Sequence, residues 1–134
     1  AAKRTGATRH GAAFVLLRED GAVLLRTRPP KGLLGGMAEV PTSEWSGAYE
    51  LDGAAQDAPV PARWRKLPTP VRHVFTHFPL ELTVFVATAA AATQAPETMR
   101  FTPVARLRDE PFSSLMLKVL EMGLEAFRPP PSAS

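Results

Sequence analysis

The stretch Val71-Arg72-His73-Val74-Phe75-Thr76-His77-Phe78, followed by Pro79 and Leu80-Glu81-Leu82-Thr83-Val84-Phe85-Val86, decides the fold. Its second half alternates apolar and mixed residues with period two, the pattern of a half-buried strand. Pro79 would break a hydrogen-bonded ladder but suits a tight turn or the first position of a strand. Phe75, Thr76 and His77 are therefore predicted at a turn tip held between two strands. A hydroxyl and an imidazole on a rigid hairpin are equipped to hydrogen-bond a base edge.

On the N-terminal side, His10 to Leu17 is a strand candidate, closed by Arg18-Glu19-Asp20-Gly21. Asp-Gly between apolar runs predicts a tight hairpin with both central residues at positive φ. The return strand spans Ala22 to Arg28, with Val23, Leu25 and Thr27 on one face. Leu24, Arg26 and Arg28 share the other, the arginines reading as a solvated face. Gly32, Gly35 and Gly36 follow Pro29-Pro30-Lys31, implying backbone freedom or a close approach, in a loop expected to fold under the sheet. No glycine-lysine-serine/threonine pattern makes it a P-loop. Ser43 is placed to cap a short helix to about Tyr49, although Gly47 and Gly53 weaken it. Ala62 to Leu67 is short and basic, with Trp64 as a core candidate.

Beyond the deciding stretch, Ala87 to Pro96 reads as a loop and Met99 to Val104 as a short strand. From Phe112 the apolar residues Leu115, Met116, Val119, Leu120, Leu124 and Phe127 form the stripe of an amphipathic helix. Pro111 is expected in its first turn and Pro129-Pro130-Pro131 beyond its end. Glu121 and Glu125 read as its solvated face. The sum is a mixed α/β domain of mainly antiparallel hairpins with a C-terminal covering helix.

The 134 residues fit one domain: residues 1–9 as a basic linker, 10–127 as the folded unit, and 128–134 as a disordered tail. An apolar content of 45% excludes disorder throughout, and 14 prolines exclude a helical bundle. The net charge of +3 is compatible with a nucleic-acid partner. With no cysteine and only 3 histidines, the chain offers no thiolate zinc site, no iron–sulfur ligands and no expected metal site. No apolar run reaches the roughly 18 residues of a membrane span, so a soluble intracellular domain is expected.

Arg28-Pro29-Pro30-Lys31-Gly32-Leu33-Leu34-Gly35-Gly36-Met37 with Glu39-Val40-Pro41 resembles the opening signature of the C-terminal domain of MutY-type adenine DNA glycosylases. Val74-Phe75-Thr76-His77-Phe78 with Leu80 resembles its later signature, and Phe101-Thr102-Pro103-Val104 with Pro111-Phe112 its ending. The match runs over roughly residues 9 to 127. Ala38 stands where the family usually has tryptophan, and Thr76 where serine is more common.

The resemblance implies a Nudix-like mixed sheet with flanking helices. In catalytic Nudix hydrolases, carboxylates on a helix after the glycine–glutamate signature hold magnesium against a diphosphate. Here only Glu44, Glu50, Asp52 and Asp57 follow, scattered, so no catalytic residue is assigned. The implied role is inspection of 8-oxoguanine opposite misincorporated adenine in double-stranded DNA, by Phe75, Thr76 and His77. Arg72, His73, Arg65 and Lys66 are the implied phosphate contacts. The glycosylase domain, with its iron–sulfur cluster, would lie outside this chain, residues 1–9 ending the connector to it. A cytoplasmic, nucleoid-associated bacterial setting is implied. The rival expectations are a free-standing atypical Nudix hydrolase of oxidised nucleotides and a non-catalytic protein-interaction module.

Overall fold

Gly11 to Leu16 is an unbroken run of small and apolar residues, which as a strand needs cover on both faces. In the computed structural model, which describes residues 6–128, this run is the buried centre of β1 (Arg9–Arg18). β2 (Ala22–Thr27) returns antiparallel to it, with Leu17 opposite Val23. The other neighbour of β1 is β6 (Pro79–Ala89), which runs parallel from the Arg9–Leu80 pair to the Arg18–Ala89 pair. β3 (Ala38–Glu39) and β7 (Met99–Pro103) pair with β2; β4 (Arg65–Lys66) and β5 (Val71–Val74) pair with β6. The result is a seven-stranded mixed sheet. The reading as mainly antiparallel hairpins misses its longest pairing, because strands some seventy residues apart leave no turn signature between them.

One face of the sheet presents Ala13, Val15, Val23, Leu25, Val84 and Val86 to α2 (Ser114–Glu125), which buries Leu115, Met116, Val119 and Leu120. A twelve-residue helix is marginal by itself. Burial at about 1.5–3 kcal/mol per apolar side chain is what holds it. The helix starts later than the apolar stripe suggests: Ser113 is the N-cap, its Oγ accepting from the Met116 amide at 3.2 Å. Pro111 and Phe112 stay outside, where the Pro111 carbonyl accepts from the Ala38 amide. On the opposite face, Phe14 packs edge-on against Trp64 at 5.2 Å and stacks with Phe85 at 5.6 Å. Trp64 is thus a packing residue, as expected.

Three local expectations are corrected. In the β1–β2 turn the Gly21 amide donates to the Arg18 carbonyl at 2.8 Å; Gly21 has φ +89, and Asp20 does not enter the left-handed region. The Gly32–Gly36 loop folds inward only in part: Gly32, Leu33 and Gly36 are exposed, while Leu34 is half-buried against the core. Gly35 meets the close-approach requirement, since a Cβ there would run into the Pro30 carbonyl. The helix from Ser43 does not form. Ser43 and Ser46 exchange backbone hydrogen bonds with Ala12 and His10, and Ser43 Oγ accepts from the Ala12 amide at 2.8 Å. A backbone committed to β1 cannot coil. Only a 3-10 turn at Leu51–Gly53 and the single turn α1 (Ala54–Asp57) remain.

Candidate nucleic-acid interface

The β5–β6 hairpin puts Phe75-Thr76-His77 where the period-two pattern and Pro79 predict. Val74 pairs with Pro79, and the Phe75 amide donates to the Phe78 carbonyl at 2.9 Å, closing a four-residue turn. Thr76 and His77 are exposed, Phe75 is half-buried, and Phe78 is buried. The tip rests on rings. Between ring centroids, Phe75 stands 5.2 Å from Phe78 and 4.7 Å from His73, which it meets edge-on, and it stacks on Trp45 at 6.1 Å and 18°. Each end of this ring series carries a guanidinium: Arg9 lies 4.0 Å over Phe78, and Arg28 lies 4.8 Å over Trp45. The His77 carbonyl also accepts from the Gly6 amide at 2.6 Å. The tip is therefore fixed from below by packing and from one side by the incoming chain, with Thr76 exposed.

The four basic residues assigned to phosphates are not gathered at the tip. Arg72 donates from Nε to Glu81 at 2.8 Å, and His10 stands 3.6 Å from the same carboxylate. His73 packs against Phe75, and burial, then the Lys118 ammonium, hold its imidazole below the ordinary 6.5. It is thus a neutral packing group at pH 7. Arg65 and Lys66 pair opposite Val86 and Phe85, which by strand rise is roughly 20 Å along β6 from Pro79. Arg65 reaches the Ala126 carbonyl at the end of α2 instead.

Other arginines take their place. A cleft of about 410 Å³ adjoins the tip, lined by Arg9, Arg26, Arg28, Leu33, Thr42 and Trp45 among others. Beneath it lies Glu39, only 2% exposed. Its carboxylate accepts from Arg26 Nε at 2.7 Å and from the Arg28 guanidinium at 2.8 Å. The face read as solvated is closed over a buried acid. The signal was present: Glu39 stands in the motif that ends in Val40-Pro41, and an acid buried there needs a cationic partner. Trp45 carried a fainter signal, as a large aromatic in a stretch with no clear periodicity.

A NUDIX domain model matches residues 12–122, and the chain belongs to that family. Within it, the C-terminal domain of mouse MUTYH, solved in complex with human PCNA, is similar over nearly the whole chain. The TM-score is 0.72 at 27% identity, covering 94% of this chain and 93% of that one. This places the chain with NUDIX-fold domains of the MutY C-terminal type. The MutT protein from Methanosarcina mazei Go1 shares the fold at TM-score 0.71 and 12% identity, over 95% of this chain and 100% of that chain. So does the NUDIX domain of Shewanella oneidensis NrtR, solved with ADP ribose, at 0.70 and 15%, over 92% and 90%. No curated protein matches the chain by sequence.

The magnesium site of catalytic NUDIX relatives does not fit the residues present. Among the described residues no three histidine, aspartate or glutamate side chains converge. Glu39, the acid nearest the glycine loop, has both oxygens engaged by guanidinium groups. A divalent cation would have to displace two arginines to reach it. No described helix is long and apolar enough to cross a membrane.

Proposed function

We propose that this domain inspects 8-oxoguanine opposite misincorporated adenine, as the C-terminal domain of an adenine DNA glycosylase acting in base-excision repair. The observation that carries the reading is the exposed Thr76, a hydroxyl-bearing residue, at the apex of a hairpin braced by Phe75, Phe78 and Trp45. The similarity to the MUTYH C-terminal domain supports it. Oxidation converts the N7 acceptor of guanine into an N–H donor and adds an acceptor oxygen at C8. A hydroxyl both donates and accepts, so Thr76 can serve either new group. Phe75 holds the height of the tip, and His77 orients the loop or meets the base or its backbone. Cleavage of the adenine N-glycosidic bond belongs to a catalytic domain carrying an iron–sulfur cluster, which a chain with no cysteine cannot ligate. The setting of this reading is a bacterial nucleoid.

The test is Thr76→Ala in the full natural polypeptide, compared on duplexes with adenine opposite 8-oxoguanine or guanine. Preference for the oxidised base falls by about 1–3 kcal/mol, the worth of one base-edge contact. Thr76→Ser, which keeps the hydroxyl, retains it. An unchanged preference in Thr76→Ala, or magnesium-dependent release of phosphate from an oxidised nucleotide, overturns the proposal.

A further inference from the structure

The tip can read a base edge, but reading needs the strand held in register, and the residues first assigned to that task are spent or distant. Arg72 is on Glu81, His73 is held neutral against Phe75, and Arg65 and Lys66 lie at the far end of β6. We infer that the cleft of Arg9, Arg26 and Arg28 is a phosphate site, taking one phosphodiester of the strand that lies across the tip. The choice of DNA as the source rests on the proposed function; the phosphate chemistry of the cleft does not.

Three features define the site. First, its donors are preorganised. Arg26 commits Nε to Glu39 and one NH₂ group to Thr42, and Arg28 commits Nε to the Leu33 carbonyl and NH1 to Glu39. The remaining NH₂ group of each arginine is held in a fixed plane but not spent on these contacts. Arg9 lies over the Phe78 ring, and its guanidinium makes no hydrogen bond or ion pair among the described residues, which leaves its N–H groups for an acceptor. Planar forks held in place suit phosphate oxygens better than a mobile ammonium. Second, the charge matches a diester. Arg9, Arg26 and Arg28 stand against Glu39 below and Glu44 at the lining, leaving a surplus of one positive charge. One singly charged phosphodiester satisfies that surplus, whereas a polyphosphate would meet the Glu44 carboxylate. Third, the position is adjacent to the reading point. Arg9 sits on Phe78 and Trp45 sits on Phe75, so the cleft and the tip share a wall.

The experiment is fluorescence anisotropy with the full natural polypeptide from about 50 to about 200 mM salt, on an undamaged duplex and on the 8-oxoguanine:adenine duplex. Arg9→Gln and Arg28→Gln are each expected to lower the slope of log K against log salt by about 1, and to weaken both duplexes by the same factor. Arg28→Gln strips Glu39 of a partner. Arg9→Gln touches no carboxylate, so it decides the question if Arg28→Gln fails to fold by circular dichroism. Unchanged slopes overturn the site. Selective loss on the damaged duplex also overturns it, because the arginine would then act through the base. A third arm titrates 8-oxo-dGMP. Binding that is lost in Arg9→Gln, with duplex slopes intact, gives the cleft to a free nucleotide and overturns the backbone assignment. Thr76→Ala separates the two proposals: lost discrimination with intact arginine slopes keeps the tip and rejects the cleft, and the converse rejects the tip alone.

Discussion

The Phe75–His77 tip and the Thr42–Asp57 segment touch through one pair of rings, yet they use the same scaffold in opposite ways. The tip is a short turn with its backbone closed on itself and its rings packed at tilted and edge-on angles. The segment lies flat along β1 from Thr42 to Ser46 and then coils only into the short turns of Leu51–Asp57. What it retains is Trp45, set against Phe75. The difference teaches that one sheet can carry a turn closed on its own backbone beside a segment held by its neighbours. The segment's backbone is tied to β1, and its Trp45 ring supports the tip.

The sharpest way to break this comparison is Phe78→Ala. Phe78 is 6% exposed, and its loss is expected to cost about 3–5 kcal/mol in urea unfolding. A cost under about 1 kcal/mol would mean that the tip is not built on its rings. Trp45→Ala comes next, at about 2 kcal/mol for a half-buried ring, with discrimination between oxidised and normal guanine falling in parallel. If stability falls and discrimination does not, the segment supports the fold and not the tip. A smaller effect concerns His73. Its imidazole is held below 6.5 in the fold, so the unfolded chain binds more protons, and stability is lost as pH falls through about 6.5. His73→Gln should flatten that slope in denaturation curves between about pH 7 and pH 5. Smallest of all, Glu50→Gln and Asp52→Asn should shift stability by no more than about 0.5 kcal/mol and leave DNA binding discrimination unchanged. A marked loss of function in either would restore a chemical role to the segment.

The hairpin and the C-terminal helix were legible because each announces itself within a dozen residues: period two with Pro79, and an apolar stripe from Leu115 to Leu124. The β1–β6 pairing was not, because parallel neighbours are joined by tertiary closure and by no local turn. The same blindness affected the site. Arg9 was read as linker and Arg26 and Arg28 as solvated, since the sequence does not show that Glu39 is buried beneath two of them. Arg65 and Lys66 looked near the tip by residue number, but β4 and β5 meet β6 at opposite ends. Sequence distance measures reach only within one element. The expected tail falls largely at 129–134, and the start of the linker at 1–5, both outside the described residues.

The hydrogen bond from Gly6 to the His77 carbonyl has a mechanical consequence. Tension on the chain ahead of Gly6 is delivered to the tip before it reaches the sheet. A single amide–carbonyl bond has a net worth of about 0.5–1.5 kcal/mol, far less than the ladder that joins β1 to β6. Under load this bond parts first and the fold remains whole. It is a fuse placed on the fingertip: a pull from upstream slackens the Phe75–Phe78 turn while leaving the hand intact.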